Sequence, residues 1–182
     1  MSHRFILPLL AVFLFACDDG GTAASGIYQI ASWTENVDGC DAEGASIAAD
    51  NSDDFLYVKN SEFFGQEFVS VATCLDLDTC RTDAADDTIN LGGFAFEKGS
   101  DSDGWTSSGY FISGSDTCSG EVFEDRLLIA DDGVTIERRA KAVDGIPTDS
   151  DGFCDGDAAE TMAKSLPCSR LEVIQAALQE SL

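Results

Sequence analysis

Gly133-Val134-Thr135-Ile136-Glu137-Arg138-Arg139-Ala140-Lys141-Ala142-Val143 is the stretch whose pattern decides the fold. Val134, Ile136, Ala140 and Ala142 share one face; Thr135, Glu137, Arg139 and Lys141 share the other. A period of two belongs to a β-strand with one face buried and one in water. Asp131-Asp132-Gly133, just upstream, is a hairpin signal. The run before it, Glu121 to Ala130, places Phe123, Leu127 and Ile129 on one side and reads as the antiparallel partner. Further upstream, Gly26–Thr34, Phe55–Lys59, Glu67–Thr73, Gly92–Glu97 and Trp105–Ser113 are rich in β-branched and aromatic residues, with a turn at Gly65. The expectation is a mainly β domain, an antiparallel barrel or sandwich of seven to eight short strands.

Downstream the pattern changes. Asp157 precedes Glu160 by three residues, and Ser169 precedes Glu172 by three, the spacing of a helix capping box. Leu171, Ile174 and Leu178 recur at helical spacing, and Pro167 separates the two segments. These signals predict a C-terminal helical segment, a short helix near 158–165 and a second near 170–180.

The first sixteen residues read as a targeting segment. Met1-Ser2-His3-Arg4 is a positively charged start, followed by an apolar run from Phe5 to Phe15 broken by Pro8. A spanning helix needs roughly 20 apolar residues, so this shorter run is a signal-peptide core. Leu14-Phe15-Ala16-Cys17 follows. This resembles the lipobox of bacterial lipoproteins, with Phe15 bulkier than usual. The resemblance implies cleavage before Cys17, a diacylglyceryl group on its thiol, and a further fatty acyl chain (palmitate) on the new N-terminus. It implies a protein of the bacterial cell envelope, held on a membrane by lipid; two or more acyl chains anchor stably. The alternative is an ordinary secreted protein cut at Ala24. Asp18 directly after the cysteine resembles an inner-membrane retention signal of some bacteria, which leaves the choice of membrane open. Residues 17–25, the lipidated cysteine and Gly20-Gly21-Thr22-Ala23-Ala24-Ser25, form a tether. Residues 26–182 form a single domain, since no repeat or long linker divides them.

Charge and composition exclude partners. The chain carries a formal net charge of -24, and removing Arg4 with the leader makes it one unit more negative. Nucleic acid requires Lys and Arg to displace counterions, so none is expected as a partner. The chain is 44% hydrophobic, enough for a core. The only histidine is His3, in the leader. Ser-His-Asp and Cys-His catalysis and His-ligated metals are excluded from the mature protein.

Of seven cysteines, Cys17 takes lipid; Cys40, Cys74, Cys80, Cys118, Cys154 and Cys168 remain. An even number in an exported chain reads as disulfides. Six cysteines allow 15 connectivities. Proximity suggests Cys74–Cys80; Cys154 and Cys168 flank a short helical stretch they could pair across, and Cys40–Cys118 then remains. The rival, a zinc site, lacks any Cys-x-x-Cys pair.

Gly26-x-Tyr28 at the start of the first strand, the antiparallel strands and the late helix look lipocalin-like, with Tyr28 where that family carries Trp. The resemblance implies a calyx for a small apolar ligand and no catalytic residue.

One acidic motif points to a cation. Asp149-Ser150-Asp151-Gly152 with Asp155 and Asp157 offers alternating oxygen ligands of the kind calcium takes, and Asp101-Ser102-Asp103-Gly104 repeats its core. Neither is an EF-hand: the first and twelfth positions are Pro147 and Ala158 in one, Gly99 and Tyr110 in the other. The competing reading is that Asp, Ser and Gly make tight turns. Trp33, Trp105, Tyr28 and Tyr110 fit either a ligand pocket or the core. An enzyme here would have to work with carboxylates, as glycosidases do, and no pair of acids is marked out. The sequence therefore predicts a non-catalytic binding or surface module without a resident cofactor. The alternatives are a lipocalin-like carrier, a calcium-stabilised structural or adhesive module, and a carboxylate-dependent hydrolase.

Overall fold

A computed structural model describes residues 25–40, 47–48, 53–63, 65–85, 94–98, 104–115 and 117–182. In chain order the elements are β1 (Gly26–Asn36), β2 (Ile47–Ala48), β3 (Phe55–Phe63), β4 (Gln66–Cys74) and α1 (Leu77–Ala85). They continue with β5 (Phe94–Lys98), β6 (Trp105–Gly114), β7 (Cys118–Ala130), β8 (Gly133–Ile146), α2 (Gly156–Ala163) and β9 (Arg170–Ser181). Eight strands follow one another as antiparallel neighbours, β1-β3-β4-β5-β6-β7-β8-β9, and β9 returns along β1 from Asn36↔Leu171 to Gly26↔Ser181. That last pairing makes the sheet a closed barrel and not a sandwich. β2 adds two residues to the upper half of β1.

The alternating run from Gly133 to Val143 lies in β8, and its alternation holds at Val134, Ile136 and Ala140, all buried. Near the top the buried position switches from Ala142, which is exposed, to Val143 on the opposite face. The cause is α2, which lies over the outer wall. Ala159 and Ala163 pack there with Val122, Val143 and Ile146, so the outer face is dry at that point. The Asp131-Asp132 turn joins β7 to β8 in the expected register, Ala130↔Gly133.

The expected helix at 170–180 is β9. Ile174 and Ala176 are buried and Leu178 half-buried, alternating with exposed Gln175, Ala177 and Gln179. Ile174 and Leu178 are four apart, a spacing that suits a helix and a strand equally. The strand prevails because it pairs on both sides, with β1 and β8, and leaves no barrel edge. Ser169 does not cap a helix. Its hydroxyl donates to the Ala140 carbonyl (3.1 Å) and accepts the Ala142 N–H (3.0 Å), stitching the entry of β9 to β8. The first predicted helix exists, but its cap is Asp155, two residues before Asp157; the Asp155 carboxylate accepts the Ala158 N–H at 3.0 Å. The sequence reading has no counterpart of α1. Asp76 caps it through the Thr79 N–H, and Ala84 and Cys80 cover Tyr57 and Ile27 on the outer wall.

Inside, Tyr28, Leu56, Val58, Val69, Val71, Phe96, Trp105, Leu127, Ile136 and Ile174 form one cluster. Eight strands leave an interior that side chains can fill. β9 runs so close at the base that a Cβ on Gly26 would sit 2.7 Å from Leu178 Cδ1 and 2.9 Å from the Glu180 carbonyl. The first residue of the Gly26-x-Tyr28 motif is thus required by backbone approach.

All six expected cysteines are in disulfides. Cys74–Cys80 is as spacing suggested, but the long bridges are Cys40–Cys168 and Cys118–Cys154. Cys168 leads into β9, whose pairing with β1 brings Cys40 to it (Cα–Cα 5.6 Å). Cys118 opens β7 opposite Ile146, and the loop after β8 returns through a Thr148↔Cys154 bridge to meet it.

Candidate functional site at the barrel rim

Strand directions define two ends. The base carries Gly26, Ser181 and the turns at Gly65 and Asp131-Asp132; the rim carries Asn36, Cys74, Gly114, Cys118, Ile146 and Arg170. Ser25, which precedes β1, lies at the base, where its carbonyl accepts the Leu182 N–H at 3.0 Å.

The inner face changes character along the axis. Above Leu127 and Ile136 the next inward residues on β7 and β8 are Asp125 and Arg138, a register pair. The Arg138 Nε and a terminal nitrogen each donate to a different Asp125 oxygen at 2.8 Å, and the side chains are 13% and 0% exposed. Arg138 also lies over the Phe123 ring, 4.3 Å from its centroid. Nearer the rim, Arg170 meets Glu35 at 3.1 Å, Glu121 at 2.6 Å and Glu172 at 3.7 Å. Burial works against the Arg170 charge, but the hydrogen bonds and fields of Glu35, Glu121 and Glu172 outweigh it, and its pKa is raised. Its Nε is buried without a partner among the described residues. The Trp33 indole N–H donates to Glu172.

Apolar surface is concentrated at the same end. The described chain exposes seven large hydrophobic residues: Val37, Ile47, Leu75, Tyr110, Phe111, Phe153 and Leu182. Six belong to the upper half by strand register or rim loops, and only Leu182 lies at the base. Phe111 is 64% exposed and stacks on Phe123 with centroids 5.1 Å apart.

A second concave feature lies outside the wall. An open groove of about 680 Å³ crosses β5 to β8, lined among others by Glu97, Ser108, Glu124, Arg126, Glu137 and Arg139. It places Glu97, Glu124 and Glu137 beside Arg126 and Arg139, and Arg139 approaches Glu137 at 3.9 Å.

The Asp149–Asp157 segment is organised as a turn and a cap. Asp149 Oδ1 accepts the N–H groups of Asp151 and Phe153, both at 2.9 Å, and Gly152 takes a positive φ of 83°. Asp155 caps α2, and Asp157 lies in its first turn. Among the described residues no group of three or more His, Cys, Asp or Glu side chains is placed to hold a metal ion. Asp101 and Asp103 of the other acidic motif, like Cys17, lie outside the described residues. Of the four aromatics singled out in the sequence, Tyr28 and Trp105 are core, Trp33 is part of the rim network and Tyr110 is exposed. Burial pushes the Tyr28 hydroxyl pKa up.

Sequence reasoning passed over Asp125, Arg138 and Arg170. The signal was available for the first two: each stands in inward register, Asp125 between Phe123 and Leu127, Arg138 between Ile136 and Ala140. A charge at such a position needs a partner. Compared with known proteins, the chain matches no family model, no curated protein and no solved structure.

Proposed function

We propose that this protein is a bacterial envelope lipoprotein, anchored through lipid on Cys17, that works as a non-catalytic binding module presenting the barrel rim. One observation carries the reading: β1 begins at the base, while among the described residues six of the seven exposed large hydrophobics lie toward the opposite end. A domain tethered at its base points its rim away from the membrane, and an apolar rim on a protein this acidic is the surface a partner would cover. The three disulfides suit an oxidising, extracytoplasmic setting.

Native mass spectrometry of the exported, oxidised chain, before and after chelator, tests the reading. A bare polypeptide supports the module. Extra mass that survives chelator but leaves on denaturation replaces it with the lipocalin-like carrier. Extra mass removed by chelator replaces it with the calcium-stabilised module and gives the Asp149–Asp157 segment its role. A Cys17→Ala variant should leave the membrane fraction; retention there would defeat the lipid anchor. The lateral groove gives the carboxylate-dependent hydrolase a specific form, since Glu97, Glu124 and Glu137 line one open concavity. Glycosidic activity lost in both Glu124→Gln and Glu137→Gln would establish it.

A further inference from the structure

We infer that the rim recognises a cationic side chain, a guanidinium or ammonium on a basic peptide segment, at Phe111 and Glu121; the inference rests on the rim being the binding face. The barrel already holds one cation in this way, and the cation is its own. Arg138 lies over Phe123 at 4.3 Å and is gripped through two 2.8 Å hydrogen bonds by Asp125. One step toward the rim, on the same inner face, the aromatic and the acid recur. Phe111 stacks on Phe123 at 5.1 Å, and its register partner across to β7 is Glu121. The inner pair is filled by Arg138; at the outer one Arg170 engages Glu121 Oε2, while the ring is 64% exposed and the Glu121 side chain 34% exposed.

Charge selects the occupant. Glu121 shares the single Arg170 guanidinium with Glu35 and Glu172, so three carboxylates face one cation and the cluster stays negative. An aromatic face is itself the negative end of a quadrupole and attracts a cation set over it. The whole chain, at -24, attracts cations and repels anions. Val37 and Phe153 are exposed in the rim loops, so the same end also offers apolar surface. A neutral segment gains the apolar contact alone, and an acidic one is repelled.

The test is a titration of the exported, oxidised mature chain in detergent with tetra-arginine amide, followed by calorimetry and backbone amide NMR at low salt. The expected result is binding that shifts the Phe111 and Glu121 amides and weakens with added salt. Phe111→Ala should weaken it about fivefold and Phe111→Trp should retain it. Phe111 is exposed enough for both variants to fold, which an unchanged circular dichroism spectrum verifies. Equal binding by Phe111→Ala would reduce the effect to general attraction by an acidic surface and overturn the proposal, as would no binding at millimolar peptide. Tetraglycine amide binding equally well at the rim would overturn cation recognition yet keep the rim as a binding face. Arginine-dependent shifts confined to the base would overturn both.

Discussion

Replacing Arg138 by Met strips the partner from a carboxylate that has no access to water. Asp125 is 0% exposed at its side chain, and two 2.8 Å hydrogen bonds from Arg138 engage both of its oxygens. Breaking a buried pair on one side costs about 3–5 kcal/mol, because the remaining charge is left desolvated and uncompensated. Met keeps much of the packing over Phe123, so little of the loss is cavity. In a domain of this size each kcal/mol moves Tm by roughly 2–4 °C, which puts the expected fall at about 6–20 °C. Asp125→Leu with Arg138→Met removes both charges, and replacing a buried pair by apolar groups is often neutral or stabilising. The double variant should therefore recover most of the loss. The assay is urea unfolding of the exported, oxidised chain, followed by tryptophan fluorescence. A single variant within about 1 kcal/mol of the parent would show that water screens the pair. A double variant as unstable as the single would show that packing, not charge, is at stake. Either result refutes the reasoning.

The disulfides and the helix caps give further tests. Cys40–Cys168 spans 128 residues and Cys74–Cys80 spans 6. Loop entropy in the unfolded chain assigns them about 5 and about 2 kcal/mol, so paired Ser substitutions should rank in that order in urea, and the reverse ranking would defeat the entropic account. Asp155→Ala should cost about 1 kcal/mol and raise hydrogen exchange through α2, since the cap on Ala158 is lost; unchanged α2 exchange would remove Asp155 from that role. Asp76 accepts the Thr79 N–H, which holds its carboxyl below the ordinary 3.8. The folded pKa is the lower one, so its support of α1 is complete above the unfolded value and disappears as pH falls through the folded value. Exchange protection at Thr79 and Cys80 should follow that fall, and Asp76→Asn should abolish the dependence.

Much of the wall was legible because one face of each strand is dry and the other wet. Val134, Ile136 and Ala140 announce the inner face without reference to anything distant. The charged rim was partly legible: Asp125 and Arg138 interrupt inward apolar positions in neighbouring strands, and the hairpin register sets them opposite each other. Arg170 was not, since its three acidic partners come from β1, β7 and β9. Cys74–Cys80 was readable from proximity in the chain, while the other bridges required knowing which strand ends meet.

By itself the sequence determined seven of the strands, the β7–β8 turn, the oxidised cysteines, the net acidity and the absence of histidine beyond His3, because each depends on local pattern or on counting. Tertiary structure alone decided that the sheet closes. Closure turned 170–181 from an amphipathic helix into β9, since a spacing of four fits both periods and only pairing with β1 and β8 separates them. It also paired Cys40 with Cys168 and gathered Glu35, Glu121 and Glu172 on one guanidinium. These outcomes depend on contacts between residues far apart in sequence, and no local period encodes them.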